Sequence, residues 1–159
     1  MTYSDIPPLL THPSVKRWCV FRLQHSPDKP VKKIPYQPSG RKAYINYAPT
    51  WASFAECMKA IDFGIGQYPG IALTKEFHLC CIDLDKCINS DGEYSAIAIK
   101  YLELFKSAAY IERSLSGTGL HILFWYTGKS VPSVHPEPGN GVEIFTDNRF
   151  IIFTGDTVG

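Results

Sequence analysis

Leu79-Cys80-Cys81-Ile82-Asp83-Leu84-Asp85 is an apolar run that closes on two acids one residue apart. Its length and content suit a buried β-strand. Downstream, Tyr94–Ser107 places Ile97, Tyr101, Leu102, Leu104 and Phe105 at helical spacing, which predicts a helix. Four short β-rich stretches follow at Tyr110–Ser114, Leu120–Tyr126, Gly141–Phe145 and Phe150–Thr154. Upstream, a strand is expected near Gly70–Thr74, and Thr50–Ile61 has the spacing of a helix, with Ser53 and Glu56 set as a capping box. Arg17–Leu23 alternates and is rich in aromatic and β-branched residues, and Lys32–Tyr36 is a candidate partner strand with Pro35 at an edge. Strands and helices in this order predict an α+β fold, a mixed, largely antiparallel sheet with flanking helices.

The chain has 159 residues, 45% of them hydrophobic and 13% aromatic, with 19% charged. That composition excludes intrinsic disorder, collagen and coiled coil, and the length predicts one domain over residues 1–159. No run approaches the ~20 apolar residues of a membrane span, and the N-terminus lacks a signal peptide's pattern. A cytoplasmic protein without a membrane partner is expected. Five cysteines, with no C-x-x-C pair, read as reduced and mostly buried, because neighbouring cysteines such as Cys80 and Cys81 rarely share a tetrahedral zinc. Trp18, Trp51 and Trp125 sit in apolar runs and are expected to pack in the core rather than to stack on bases. The net charge of +1 conceals an asymmetry: residues 1–50 hold eight Lys/Arg against two acids, and residues 51–159 eight against thirteen. A basic front fits attraction to a polyanion, and an acidic remainder fits carboxylates gathered around metal.

Three segments carry chemistry. Alternation along a strand sends Asp83 and Asp85 to one face with Cα atoms about 6.5–7 Å apart, a span from which both could reach a pair of cations. Their oxygens suit Mg²⁺ or Mn²⁺. An EF-hand is excluded, because Cys87 and Ile88 stand where its loop needs an oxygen ligand and a glycine. Ser114-Leu115-Ser116-Gly117-Thr118-Gly119-Leu120-His121 is a Gly/Ser loop whose N–H and hydroxyl groups can face a phosphate chain, with His121 just inside the next strand. Glu143 is an acid within an apolar strand and must either face solvent or meet a cation. Arg149 could reach phosphate bidentately, or it could simply pair with Glu143 across the hairpin. An acid pair, then a Gly/Ser loop ending in His, then a third acid is an arrangement for nucleotidyl transfer. Three carboxylates would hold two metals, with the loop, His121 and Arg149 positioning a triphosphate.

CIDLDKC, SLSGTGLHILF and VEIFTDNRFIIFTG together resemble the three successive motifs of the archaeo-eukaryotic primase superfamily, in the primase-polymerase branch carried by phages, plasmids and other mobile elements. WCVFR, KKIPYQPSGRKA, DFGIGQ and the DG before the second helix extend the resemblance over most of the chain. The resemblance implies a primase-polymerase catalytic core on a sheet of RNA-recognition (RRM-like) type. It implies metal-binding roles for Asp83, Asp85 and Glu143. It also implies nucleotide-binding roles for Ser116, Gly117, Gly119, His121 and Arg149, with Lys33 and Arg41 as further basic contacts. Thr118 stands where relatives often place Lys, and Leu115 where they often place Pro. The implied partners are single-stranded DNA template and primer, dNTP or NTP, and a fused or associated helicase. The chain is then expected to be the N-terminal part of a longer protein or a reduced core.

Rival readings are weaker. A polymerase-β-type nucleotidyltransferase expects its Gly-Ser pair upstream of the acids, and a D-x-D glycosyltransferase expects a βαβ nucleotide fold. The remaining alternative is a primase-fold module that binds nucleotide and DNA, for example in replication initiation, without catalysis.

Overall fold

The expected alternation of elements is present in the computed structural model, which describes residues 2–158. In chain order it comprises α1 (Pro8–Thr11), β1 (Trp18–Gln24), β2 (Lys32–Tyr36), α2 (Phe54–Asp62), β3 (Tyr68–Leu73), β4 (Leu79–Leu84), α3 (Ala96–Leu104), β5 (Tyr110–Arg113), β6 (Leu120–Trp125), β7 (Val142–Phe145) and β8 (Arg149–Ile152). Short 3-10 turns lie at Ala48–Thr50 and Lys75–Phe77. The fold is α+β.

The strands form two sheets of four, in the orders β2-β1-β3-β8 and β5-β6-β4-β7, rather than one. The cause lies in the pairing. Both hydrogen-bonding edges of β4 are taken, by β6 and β7, and both edges of β1 by β2 and β3, all antiparallel. The chain accordingly divides into two compact units. One comprises Ile6–Ala72 and Phe150–Phe153; the other comprises Leu73–Arg149, Thr154 onward and the N-terminal residues up to Asp5. The first carries nine Lys/Arg against three acids and the second seven against twelve. They are called below the basic and the acidic unit.

In the basic unit the core centres on Trp18, which is fully buried. Its indole N–H donates to the Leu10 carbonyl at 2.8 Å, and its ring meets Phe54 and Phe153 with centroids 4.8 and 5.0 Å apart. This satisfies the one polar atom of a large apolar side chain. Helix α2 starts at Phe54, four residues later than Thr50, because Ala52 exchanges two backbone hydrogen bonds of 2.8 Å with Trp18 and so stays extended. The capping box forms as the spacing predicts: Ser53 Oγ accepts from the Glu56 N–H, and Glu56 Oε1 accepts from the Ser53 N–H, both at 3.2 Å.

In the acidic unit α3 packs against one face of its sheet. Ala98 and Tyr101 of the helix share a core with Ile82, Leu84, Leu120, Ile122 and Val142. The helix begins at Ala96 instead of Tyr94 because Ser95 caps it, its hydroxyl accepting from the Ala98 N–H at 3.2 Å, while Tyr94 pairs with Ile88. Since successive strand residues point to opposite faces, burying Ile82 and Leu84 under α3 commits Asp83 to the other face.

Candidate active site

Four polar residues of the acidic unit stand in one row across that other face. The register places Glu112 on β5 opposite His121 on β6, His121 opposite Asp83 on β4, and Asp83 opposite Glu143 on β7. Directly opposed residues have Cα atoms about 4.5–5.5 Å apart, so the row spans four strands without a gap. Above it on the same face run Tyr110, Leu123, Cys81 and Phe145, all buried. The row therefore lies along one edge of an apolar surface.

Asp85 follows β4 by one residue and is exposed. Its N–H donates to the Gly141 carbonyl at 2.8 Å, and just beyond it the N–H groups of Cys87 and Ile88 both donate to the Thr118 carbonyl, at 2.7 and 2.9 Å. The end of the acidic strand is thus tied on one side to the entry of β7 and on the other to the Gly/Ser loop.

Backbone geometry explains the glycines of that loop. Gly117 has φ +77°, a conformation that L side chains rarely adopt. At Gly119 a Cβ would lie 2.5 Å from the Leu84 carbonyl oxygen and 2.7 Å from Ser114 Oγ. Gly119 is what lets the loop close onto the end of β4. Within the loop, Ser116 Oγ lies 3.1 Å from Ser114 Oγ and 2.9 Å from Thr118 Oγ1, a run of hydroxyls on an exposed turn.

His121 is 7% exposed, and its two nitrogens face different carboxylates. Nδ1 is 3.0 Å from Glu112 Oε2, and Nε2 is 4.0 Å from Asp83 Oδ1. Glu112 is fully buried, yet well satisfied. It accepts from the Tyr110 hydroxyl at 2.9 Å, from the Thr154 N–H at 3.0 Å and from the Gly155 N–H at 3.3 Å. Carboxylate oxygens only accept, so the hydrogen between Glu112 and His121 sits on Nδ1. Nε2 is left turned toward Asp83. Burial, reinforced by the Glu112 charge, pushes the Tyr110 phenol well above its ordinary value, so Tyr110 stays a donor to that carboxylate.

Glu143 meets a cation, as burial in its strand requires. Arg149 donates to both its oxygens, at 2.7 and 3.3 Å, Ser133 Oγ donates at 2.7 Å, and His135 Nε2 lies 3.9 Å away. The Arg149 guanidinium also lies over the Phe145 ring at 4.4 Å. This is the hairpin pairing that the sequence offered as an alternative to a phosphate contact. Among the described residues, no three His, Cys, Asp or Glu side chains are gathered closely enough to hold an ion. The donor set still fits a hard divalent cation in kind: Asp83 and Glu143 are register partners, and Asp85 follows Asp83 at the strand end. Chelation by all three would need Glu143 to release Arg149.

The sequence-predicted residues Asp83, Asp85, Ser116, Gly117, Gly119, His121, Glu143 and Arg149 all belong to the acidic unit. Lys33, on β2, and Arg41, in the turn after it, belong to the basic unit. Cys80, Cys81 and Cys87 are buried free thiols. Burial pushes the Cys80 thiol up to about 12 and holds that of Cys81 well above the ordinary thiol value. Glu112 is the residue that sequence reasoning missed. The chain matches no protein-family model and no curated protein.

Proposed function

We propose that this chain is a primase-polymerase catalytic core of the archaeo-eukaryotic primase type, carrying out template-directed nucleotidyl transfer in the replication of a phage, plasmid or other mobile element. The observation that carries the reading is the row Glu112–His121–Asp83–Glu143, in register across four strands, with Asp85 and the Gly/Ser loop tied to its end. Numbered within its own sheet, the acidic unit runs strand-helix-strand-strand-strand with spatial order 2-3-1-4. That order supports an RRM-like core, since a split β-α-β gives the same neighbours.

Asp83, Asp85 and Glu143 would hold Mg²⁺ or Mn²⁺, which when bound activates a primer 3′-hydroxyl and neutralises charge on the leaving pyrophosphate. The protein's own groups do the positioning. The loop N–H groups and the Ser116 hydroxyl orient a triphosphate, and His121, held by Glu112, presents Nε2 beside Asp83. Arg149, paired with Glu143 here, would be the exchangeable cation: with Glu143 serving as a metal ligand, its guanidinium would be the group to hold phosphate oxygens.

The test is extension of a primed single-stranded DNA template with Mg²⁺ or Mn²⁺ and either dNTPs or NTPs. The Asp83→Ala, Asp85→Ala double variant should fold and add no nucleotide; undiminished extension would sink the mechanism. A second reading, a primase-fold module that binds nucleotide and DNA without catalysis, is favoured by one observation, the engagement of Glu143 by Arg149 and Ser133. It predicts nucleotide binding without any extension by the wild-type chain.

A further inference from the structure

We infer that the basic unit carries a stacking platform for single-stranded DNA, built on Tyr44 and Tyr47 and flanked by Lys32, Lys33, Arg41 and Lys42. Both tyrosines are exposed, by 51% and 58%, which is unusual for large aromatic side chains with a core available to them. The backbone that presents them is tightly braced. The buried Thr50 hydroxyl accepts from the Tyr44 N–H at 3.0 Å and donates to the Tyr47 carbonyl at 2.7 Å. The Tyr44 carbonyl accepts from the Tyr47 N–H at 3.2 Å and from the Trp51 indole N–H at 2.8 Å. A fixed loop holding two outward rings loses little freedom when something stacks on them.

Charge identifies the occupant. No Asp or Glu occurs between Asp28 and Glu56. Lys32, Lys33, Arg41 and Lys42 are all exposed, and none has a carboxylate partner among the described residues. The segment after β2 returns beside it, with the Gln37 N–H donating to the Arg41 carbonyl at 2.7 Å and the Ala43 N–H donating to the Pro35 carbonyl at 3.1 Å. The four cations thus belong to one edge structure that leads directly into Tyr44. Cations that track a phosphate backbone beside rings that accept base faces are what an unpaired strand needs, whereas a duplex hides those faces. Trp18 and Trp51 do not serve this purpose, because Trp18 is buried and the Trp51 ring already has the Arg17 guanidinium over it, 5.2 Å from its centroid.

This inference deepens the primase-polymerase reading and rests on it for the identity of the strand, a template. The test is anisotropy of fluorescein-labelled dT20 with the full chain. Tyr44→Ala and Tyr47→Ala should each weaken binding about fivefold or more, with the salt slope unchanged, and the corresponding Phe variants should restore it. Lys32→Gln and Lys42→Gln should instead each reduce the slope of log K against log salt by about 0.7. Binding to a blunt duplex should be indifferent to the tyrosines. Wild-type affinity in the double Ala variant would overturn the inference, as would equal losses on duplex, or tyrosine-dependent binding to phosphatidylserine vesicles that is tighter than to dT20. If the wild type never extends a primer while dT20 binding depends on the tyrosines, the catalytic reading fails and this one stands. Extension that proceeds with dT20 binding indifferent to the tyrosines gives the reverse.

Discussion

Replacing Glu112 probes the buried end of the polar row. In the structure Glu112 has no exposure and accepts from Tyr110, Thr154, Gly155 and His121. Oε1 takes the Tyr110 hydroxyl and the Gly155 N–H, Oε2 faces His121 Nδ1, and the Thr154 N–H lies 3.0 Å from both. A glutamine can keep its oxygen on the Tyr110 side and turn its amide toward His121. It then loses one charge-assisted hydrogen bond, a cost of about 1.5–3 kcal/mol. Alanine strands every donor around a cavity, and the loss rises to about 3–5 kcal/mol or beyond. For a chain of this length each kcal/mol shifts the melting temperature by about 2–4 °C, so Glu112→Gln should melt roughly 3–12 °C lower and Glu112→Ala lower again. Glutamine also changes the imidazole. Its amide can only donate to Nδ1, which drives the hydrogen to Nε2. Long-range ¹H–¹⁵N spectra of the histidines should show His121 protonated at Nδ1 in the wild type and at Nε2 in Glu112→Gln. A bare Nδ1 in the wild type would refute the assignment, whether or not the variant folds. So would an alanine variant that melts within about 2 °C of the wild type.

Other consequences are simpler to measure. Burial pushes the thiols of Cys57 and Cys80 up to about 12 and holds Cys19 and Cys81 well above the ordinary thiol value, so iodoacetamide at pH 8 should leave all four unmodified until the chain is unfolded; rapid native labelling would contradict the packing. Because those folded-state values are raised, their contribution to stability is whole below pH 9 and declines as pH rises toward about 12, which alkaline unfolding curves can follow. Glu56 is held below its ordinary value chiefly by its hydrogen bond from Lys16, then by Ser53. Its contribution is therefore present above pH 4.5 and lost as pH falls below it, so Glu56→Gln should be less stable than the wild type at pH 7 and indistinguishable from it in strong acid. Arg149→Ala removes the guanidinium from Glu143, and on the proposed function it should tighten Mn²⁺ binding while weakening nucleotide binding; calorimetry showing both weakened would count against the exchange of cations.

Much of this arrangement was legible in the sequence because it rests on local periodicity. The helices at α2 and α3 follow from 3.6-residue spacing, and their starts are set by Ser53 and Ser95, whose hydroxyls accept from Glu56 and Ala98. The eight strands lie within a few residues of the predicted stretches. The division into two sheets was not legible. Leu79–Ile82, the first four residues of β4, are apolar and buried on both faces, and such a run carries no mark of which neighbours it takes.

Glu112 shows why the rest of the site stayed hidden. In Tyr110-Ile111-Glu112-Arg113 nothing distinguishes this acid from a solvated one, and its partner lies nine residues on, past the Gly/Ser loop. Yet the loop itself contained the means to find it. The Ser114 N–H donates to the Gly119 carbonyl at 2.9 Å, closing the turn on that pair. Counting outward sets Arg113 opposite Leu120 and Glu112 opposite His121. A reading that treated the loop first as a hairpin turn, and only then as a phosphate cradle, would have placed a carboxylate against the histidine. The glycines that shape the turn and the register that fastens His121 to Glu112 are one feature of the chain. On the proposed function, then, a change at Gly119 that displaces the loop from Leu84 should disturb both the phosphate-facing amides and the orientation of the imidazole, because the same hairpin sets both.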